Sequence, residues 1–353
     1  MDTPESRLRS RPPGPPAVLL PITVLLFACG LADKATDPGA DTAGPPDSAE
    51  TADSDSGTDS PVVHCAGGGG WSAVSAGLLG TCGIHENGCL ECWTPVDTGA
   101  PAERIPVSGN YRAPSGYLVP PNEDIAYVSV DLAAQTEFGS HTCAIRVDGG
   151  IDCWGSDAYH ATSPPDGRWT QVSVGQDDGC ALAEDGRIAC WGIYIGPGED
   201  ALYSMADDYV RISNGHRMVC GLSTAGRIDC WPTTTPERIY QSFHGPWIAM
   251  DNEGEFVFGV TPDGVVREAG GGPHLPQSSN GVVDLCIGGY LSSMCILDTT
   301  GAARCTGFLD GAPDATFASV SCGWIHACGV TVDAQLLCWG DCRQGDCAVP
   351  VHE

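Results

Sequence analysis

The chain has 353 residues, among them 19 cysteines, 47 glycines and 27 prolines, and 45 acidic against 16 basic side chains give a formal net charge of −29. A chain this acidic lacks the basic surface with which proteins bind nucleic-acid phosphates, so no nucleic-acid partner is expected. Lys34 is the only lysine, which excludes lysine chemistry from any folded domain that follows it. The length allows one or two domains.

Residues 1–28 have the pattern of an export signal. Three arginines precede the apolar run Ala17 to Ala28, which is too short to span a bilayer. The run ends in Leu26-Phe27-Ala28-Cys29-Gly30, which resembles the lipobox of bacterial lipoproteins. That resemblance implies cleavage before Cys29, acylation of its thiol and, because Gly30 follows, sorting to the outer membrane. The alternative is an ordinary secretory signal with an incidental cysteine.

Residues 29–61 form a region of distinct composition. The stretch from Leu31 to Ser60 has no aromatic residue and carries eight acidic side chains against Lys34. Such a segment cannot bury enough apolar surface to offset the entropy lost on ordering. We therefore predict a disordered, Asp/Ser/Thr/Pro-rich tether.

Residues 62–353 contain seven copies of one motif. The clearest copy has Cys180-Ala-Leu182, a Gly turn, Ile188 and Cys190-Trp191-Gly192. The position of its first cysteine recurs at 82, 143, 180, 220, 258, 295 and 328, which gives a unit of about 37 residues. A Pro-rich insertion, roughly 95–121, lengthens the first interval. The copy at 258 lacks both cysteines, and the copy at 295 lacks the tryptophan.

Each copy predicts a small antiparallel sheet. Two short alternating runs flank a Gly turn, which is typical of a β-hairpin. A preceding run such as Val172-Ser-Val174 supplies a third strand, and the Pro/Gly-rich remainder has room for a fourth. Four strands in each of seven units, without helical periodicity, predict an all-β fold, a seven-bladed β-propeller. In the third copy Cys180 and Leu182 take one face of the sheet, while Ala181, Ala189 and Trp191 take the other.

Six cysteine pairs have a spacing of ten residues, with the hairpin turn midway. Residues directly opposite in an antiparallel pair come within disulfide reach, whereas zinc sites need four convergent ligands, so disulfides are favoured over metal. The predicted pairs are Cys82–Cys92, Cys143–Cys153, Cys180–Cys190, Cys220–Cys230, Cys295–Cys305 and Cys328–Cys338. The pairing of six others stays open: Cys65, Cys89, Cys286, Cys322, Cys342 and Cys347.

The pattern Gly-x-x-x-x-Cys-Ala-Leu-x-x-Asp-Gly-x-Ile-x-Cys-Trp-Gly resembles the regulator-of-chromosome-condensation (RCC1-like) propeller repeat in its compact bacterial extracytoplasmic form. A secreted propeller that inhibits β-lactamases has a similarly short unit. The resemblance implies a propeller over 62–353. It does not imply the chromatin role of the nuclear members of that family, because the propeller region is acidic. With the two acids and three arginines of the leader and the eight acids and one lysine of the tether set aside, 35 acidic and 12 basic side chains remain.

Candidate contact residues are the tryptophans outside the Cys-Trp position, which is itself interpreted as inter-blade packing. They are Trp71, Trp169, Trp247 and Trp324. His141 and His326, just before repeat cysteines, are predicted to bond the backbone. The pair Asp177-Asp178 is predicted to lie on a solvated loop. No catalytic residue, metal site or cofactor is predicted.

The sequence predicts a lipid-anchored extracytoplasmic propeller of the bacterial outer membrane, acting as a non-enzymatic recognition module for a protein or glycan partner. One alternative is a hydrolase or lyase with its chemistry in the central mouth. Another is an inhibitor of a secreted or periplasmic enzyme. The repeats alone do not choose the ligand.

Overall fold

The computed structural model describes residues 69–78, 80–93, 120, 125–133, 140–192, 201–203, 208–215, 218–232, 241–254, 256–270, 281–289, 293–342, 347 and 349–350. The chain divides into two units, Met1–Ser56 and Gly57–Glu353, and all described residues belong to the second. The predicted leader (1–28), Cys29 and the tether (29–61) lie outside the described residues. Within those residues, no helix is both long and apolar enough to cross a membrane.

The described chain folds into seven antiparallel sheets, each made of strands consecutive in sequence. Blade 1 has β1 (Trp71–Ala76), β2 (Thr81–His85) and β3 (Leu90–Trp93); blade 2 has β4 (Tyr127–Leu132), β5 (His141–Arg146) and β6 (Ile151–Gly155). Blade 3 has β7 (Trp169–Val174), β8 (Asp178–Ala183), β9 (Ile188–Gly192) and β10 (Ala201–Tyr203); blade 4 has β11 (Tyr209–Gly215), β12 (Met218–Ser223), β13 (Ile228–Pro232) and β14 (Gln241–Phe243). Blade 5 has β15 (Ala249–Glu253), β16 (Phe256–Val260) and β17 (Val266–Gly270); blade 6 has β18 (Val282–Ile287), β19 (Met294–Asp298) and β20 (Ala303–Cys305); blade 7 has β21 (Phe317–Cys322), β22 (His326–Thr331) and β23 (Leu336–Gly340). The predicted seven-bladed propeller is confirmed.

The prediction of four strands in every blade is wrong for blades 2 and 6. Within the described residues only blades 3 and 4 have a fourth strand. In blades 2 and 6 the segment after the third strand instead contains a short 3-10 helix, Ala158–His160 and Gly307–Leu309 respectively. Pro164, Pro165 and Pro313 fall in these segments, and proline cannot donate a hydrogen bond to a sheet ladder.

The hydrophobic core consists of seven clusters, one at each contact between neighbouring blades. Cys180, Leu182 and Ile188 of blade 3 pack with Trp231 of blade 4. The opposite face of blade 3, with Ala181, Ala189 and Trp191, packs on blade 2, so the predicted division of the two faces is confirmed. Trp71 of blade 1 packs with Cys328, Val330 and Leu336 of blade 7. This last cluster closes the ring.

Eight disulfides join described cysteines. Six are the hairpin pairs expected from the spacing, with Cα atoms 4.0 to 4.1 Å apart because the two cysteines are register partners. The other two are Cys286–Cys322, between blades 6 and 7, and Cys342–Cys347. Cys89 is also disulfide-bonded, while Cys65 lies outside the described residues. Disulfides in this number are typical of proteins folded in an oxidising compartment.

Candidate functional site

The first strand of each blade lines a central cavity of about 290 Å³. We number each innermost segment from 1 to 7, starting at residues 71, 127, 169, 209, 247, 282 and 317. Position 5 is the residue paired with the first repeat cysteine, as in Ser75↔Cys82 and Asp131↔Cys143. All seven segments run in the same direction, so equivalent positions form rings around the cavity.

Position 5 joins each blade to the next. Its side chain accepts a hydrogen bond from the backbone N–H at position 6 of the following blade. The six bonds, with donor–acceptor distances, are Leu132 N to Ser75 Oγ 3.2 Å, Val174 N to Asp131 Oδ2 2.7 Å, Asn214 N to Ser173 Oγ 2.9 Å, Asn252 N to Ser213 Oγ 3.2 Å, Ile287 N to Asp251 Oδ2 2.8 Å and Ala76 N to Ser321 Oγ 3.0 Å. The last of these closes the ring between blades 7 and 1.

The seventh link of this ring is covalent. Cys286 occupies position 5 of blade 6, and Cys322 occupies position 6 of blade 7, where the other blades place the donating N–H. Their disulfide therefore replaces the side chain-to-backbone hydrogen bond. The two cysteines occupy different positions of the repeat, because Cys286 pairs with Cys295 whereas Ser321, not Cys322, pairs with Cys328.

Two of the ring positions are carboxylates. Asp131 and Asp251 each use their second oxygen to accept a hydroxyl hydrogen bond from the preceding blade, from Ser75 and Ser213 respectively. Burial raises the pKa of Asp131 to about 6. Burial also raises the pKa of Asp251, although the hydroxyl of Ser213 opposes that shift. The two aspartates therefore join neighbouring blades, although burying their negative charges costs free energy.

Arg211 is the only basic side chain among the described residues that line the cavity. Its Nη1 lies 2.6 Å from Asp284 Oδ1. Arg211 occupies position 3 of blade 4 and Asp284 occupies position 3 of blade 6. The ion pair therefore reaches across blade 5, where position 3 is the small residue Ala249. The charge of Arg211 is thus balanced within the ring.

Blade 5 departs from the repeat where it meets the cavity. Position 7 is glycine in five blades and Ala133 in blade 2, but it is Glu253 in blade 5. Glu253 is only 8% exposed, and burial together with the charge of Asp251 raises its pKa to about 7. Glu253 is not among the candidate residues predicted from the sequence. Aligning the segments before the first cysteines would have found it.

The histidines and the acidic pair lie where the inner strand turns into the second strand. His326 Nε2 lies 2.9 Å from Thr81 Oγ1 of blade 1, and His141, 1% exposed, bonds the backbone of Asp178 in blade 3. Burial lowers the pKa of His141 to about 4. Asp177 and Asp178 are 5% and 3% exposed, so the prediction of a solvated loop is wrong for them.

The structure corrects two of the four predicted contact tryptophans. Trp71 and Trp169 are each 8% exposed and occupy position 1, which Tyr127, Tyr209 and Phe317 fill in other blades. Position 1 packs on the second strand, and an added Cβ at Gly83 would lie 2.4 Å from Trp71. Trp247, at the same position, is partly buried against Gly259. Trp324 is partly buried and lies over Gly289 of blade 6.

One group of three cysteines has its sulfurs close enough together to hold a metal ion, when only the described residues are considered. It comprises Cys286, Cys295 and Cys322. All three are disulfide-bonded, and a disulfide sulfur is not the thiolate that ligates zinc. The group is a contact between the inter-blade disulfide and a hairpin disulfide.

Fold and cavity together define a disulfide-bonded β-propeller. No protein-family model matches the sequence, and no curated protein matches it. Similar folds occur in solved structures. The CR4 receptor-kinase ectodomain of Physcomitrella patens is 23% identical over 61% of this chain, with a TM-score of 0.50. The match spans 64% of that ectodomain, which is less than two thirds of its length. Human WBSCR16 is 13% identical over 77% of this chain and 90% of its own, with a TM-score of 0.54.

Prp20p of Saccharomyces cerevisiae is 15% identical over 80% of this chain and 75% of its own, with a TM-score of 0.40. Identities at these levels establish the fold alone. The structures of human WBSCR16 and the CR4 ectodomain therefore confirm the propeller fold that the repeat motif implied.

Proposed function

We propose that this chain is a non-enzymatic recognition module that binds a protein partner outside the cytoplasm. The observation that carries the proposal is the use of the polar side chains around the cavity. The serines and aspartates at position 5 hold neighbouring blades together, with the Cys286–Cys322 disulfide completing the ring. A ring fixed in this way is a rigid scaffold that presents its turns and rims to solvent, which favours preorganised binding.

The proposed location rests on two independent features. Hairpin disulfides in six of the seven blades require an oxidising compartment to form and persist. The leader 1–28 with its lipobox would supply export and acylation at Cys29, and the tether 29–61 would hold the propeller away from the outer membrane. Several acyl chains anchor a protein stably where a single chain does not. Palmitate labelling of the full chain should disappear in Cys29→Ala, and persistent labelling would contradict the anchor.

The function is tested with the processed full chain as bait. Envelope extract is passed over the immobilised protein, and retained proteins are cross-linked and quantified. We expect one protein retained at a fixed stoichiometry and displaced by free propeller. If that partner is an enzyme whose activity falls on binding, the module is an inhibitor. Retention of glycan instead of protein, or of nothing, would contradict the proposal.

Catalysis at the central cavity is the second candidate, and Glu253 is the observation that favours it. A carboxyl group with a pKa of about 7 can serve as a general acid or base near neutral pH. The test is turnover of a glycan library by the wild type and by Glu253→Gln. If the folded variant loses a turnover that the wild type has, the proposed function becomes that of a hydrolase or a lyase instead of recognition. Absence of turnover in the wild type would remove this candidate, and equal turnover would remove Glu253 as the acid or base.

A further inference from the structure

The exposed apolar side chains of the propeller are concentrated on one face. Eight large apolar side chains are exposed among the described residues. Six of them lie at the end of the ring where the innermost strands begin, which we call the entry face. They are Val128, Val147, Val210, Ile248, Val283 and Val332. The other two, Tyr159 and Phe308, lie in the 3-10 helices of blades 2 and 6.

Four of these side chains share position 2, and local backbone geometry turns them outward. Val128, Val210, Ile248 and Val283 are 56%, 55%, 48% and 40% exposed. In every blade except blade 5, a β-bulge interrupts the register between positions 1 and 3, so position 2 has no partner opposite and points away from the sheet. Ile248 comes just before β15 and is exposed at the equivalent point.

The remaining two valines extend the same face outward. Val147 and Val332 lie in the turns between the second and third strands of blades 2 and 7. Their N–H groups donate to Ala126 O at 3.0 Å and Thr316 O at 2.9 Å, and these carbonyls belong to the residues just before position 1. The turn valines therefore flank the ring of position 2 side chains.

Aliphatic residues at position 2 do not make the hydrogen bond that polar residues make there. Where position 2 is polar, its hydroxyl bonds the strand opposite the bulge: Ser72 Oγ donates to Ile84 O at 3.0 Å and Thr170 Oγ1 to Leu182 O at 3.0 Å. Valine and isoleucine cannot make this bond, and here they expose apolar surface as well. Blades 4, 5 and 6 are consecutive, so Val210, Ile248 and Val283 occupy equivalent positions in three neighbouring blades, and we call this set the arc. Exposed apolar side chains grouped on one face favour an interaction surface.

The charges around this face indicate the partner. Five of the seven described arginines form ion pairs with aspartates of the propeller, and the exposed Arg168 donates to the backbone oxygen of Asp148. The turns of the entry face expose the carboxylates of Glu86, Glu184, Asp263 and Asp333. A second copy of this chain would bring like charges together, which is costly at an interface. A cationic partner would meet complementary charge.

We propose that the entry face, centred on Val210, Ile248 and Val283, is the docking surface for a cationic protein segment that carries aliphatic or aromatic side chains. The inference rests on the proposed recognition function and names its surface and the chemistry of its partner. Apolar side chains of the segment cover the arc, and its basic residues meet the surrounding carboxylates.

The test compares two variants of the full chain. Val210→Thr/Ile248→Thr/Val283→Thr replaces the arc by the residue that blade 3 already has at position 2, so the fold has a precedent for it. Tyr159→Ser/Phe308→Ser removes exposed apolar groups elsewhere and is the matched control. The probes are short synthetic peptides in which arginine alternates with leucine, arginine with serine, or glutamate with leucine. Binding is measured by titration calorimetry at low and high salt.

The arginine/leucine peptide should bind the wild type best, and more weakly as salt rises. The arc variant should weaken this binding by about tenfold or more, as the loss of three apolar contacts implies, and the control variant should leave it unchanged. Equal binding by the arc variant, preference for the glutamate/leucine peptide, or no binding by the wild type would overturn the proposal. A wild-type dimer in sedimentation that the arc variant dissociates would assign the face to a second copy.

These results separate the two proposals. If the arc variant still captures the envelope partner at the wild-type stoichiometry, recognition stands and the entry face is not its surface. If no envelope partner is captured but peptide binding depends on the arc, the surface stands and the proposed function fails.

Discussion

Removing the Cys286–Cys322 disulfide should show how much this covalent link contributes to ring closure. The bond joins residues 36 apart in sequence, and closing a loop of that length in the unfolded chain corresponds to about 3.8 kcal/mol in the chain-entropy estimate. Cys286→Ala/Cys322→Val should lose about this much free energy of unfolding. Cys286→Ser/Cys322→Val should lose about 1 kcal/mol less, because serine at position 5 restores the hydrogen bond used by the other blades.

Both variants are measured by denaturant unfolding under oxidising conditions, with the Cys180–Cys190 hairpin opened in a third variant as a control. That loop spans ten residues, so its loss should cost about 2.7 kcal/mol. Equal stabilities of the alanine and serine variants would show that position 5 of blade 6 does not accept the hydrogen bond. A wild-type-like alanine variant would refute the argument that this disulfide takes part in closure.

Three further predictions concern other parts of the ring. The raised pKa of Glu253 means that the folded protein binds more protons than the unfolded chain between pH 4.5 and about 7, so its contribution lowers stability as pH rises through that window. The unfolding midpoint of Glu253→Gln, measured against pH, should lack this part of the slope. Parallel curves for the wild type and the variant would contradict the raised pKa of Glu253. Gly192, at φ +109°, has Asp177 O 2.5 Å from where a Cβ would lie, so Gly192→Ala should cost about 3 kcal/mol. Gly311→Ala, at φ +99° with open space, should cost about 1 kcal/mol, and equal losses in thermal unfolding would refute the close-approach argument. Trp169→Ala should cost about 3–5 kcal/mol as a core truncation, with partner affinity unchanged per folded molecule; a stable variant with weakened binding would return Trp169 to the contact surface.

The repeat made the fold predictable from sequence. Each hairpin is local, with cysteines ten residues apart around a Gly turn, so strand pairing and the six hairpin disulfides follow from the chain's own register. The number of copies then gives the number of blades. The outer strands were less predictable, because Pro164, Pro165 and Pro313 end the sheets of blades 2 and 6 early.

The candidate site was less accessible to sequence reasoning. The sequence predicts contact residues at Trp71 and Trp169 because they lie outside the Cys-Trp position, yet they occupy a second repeated position that packs on the sheet. The exposure of position 2 could not be predicted, because a bulge turns Val128 and Val210 outward and a period-two pattern does not reveal a bulge. A column-by-column alignment of the seven segments before the first cysteines would have revealed both positions.

The sequence by itself determined the blades, their number and most of their disulfides, because these depend on contacts within about ten residues of chain. Only the tertiary structure decided what joins one blade to the next. Three features join residues in different repeats: the position 5 ring, the Cys286–Cys322 disulfide and the Arg211–Asp284 ion pair, which reaches across blade 5 at Ala249. Their partners are set by how the sheets stack around the axis, which no single repeat encodes. The entry face likewise exists only after seven equivalent positions are brought to one end of a closed ring.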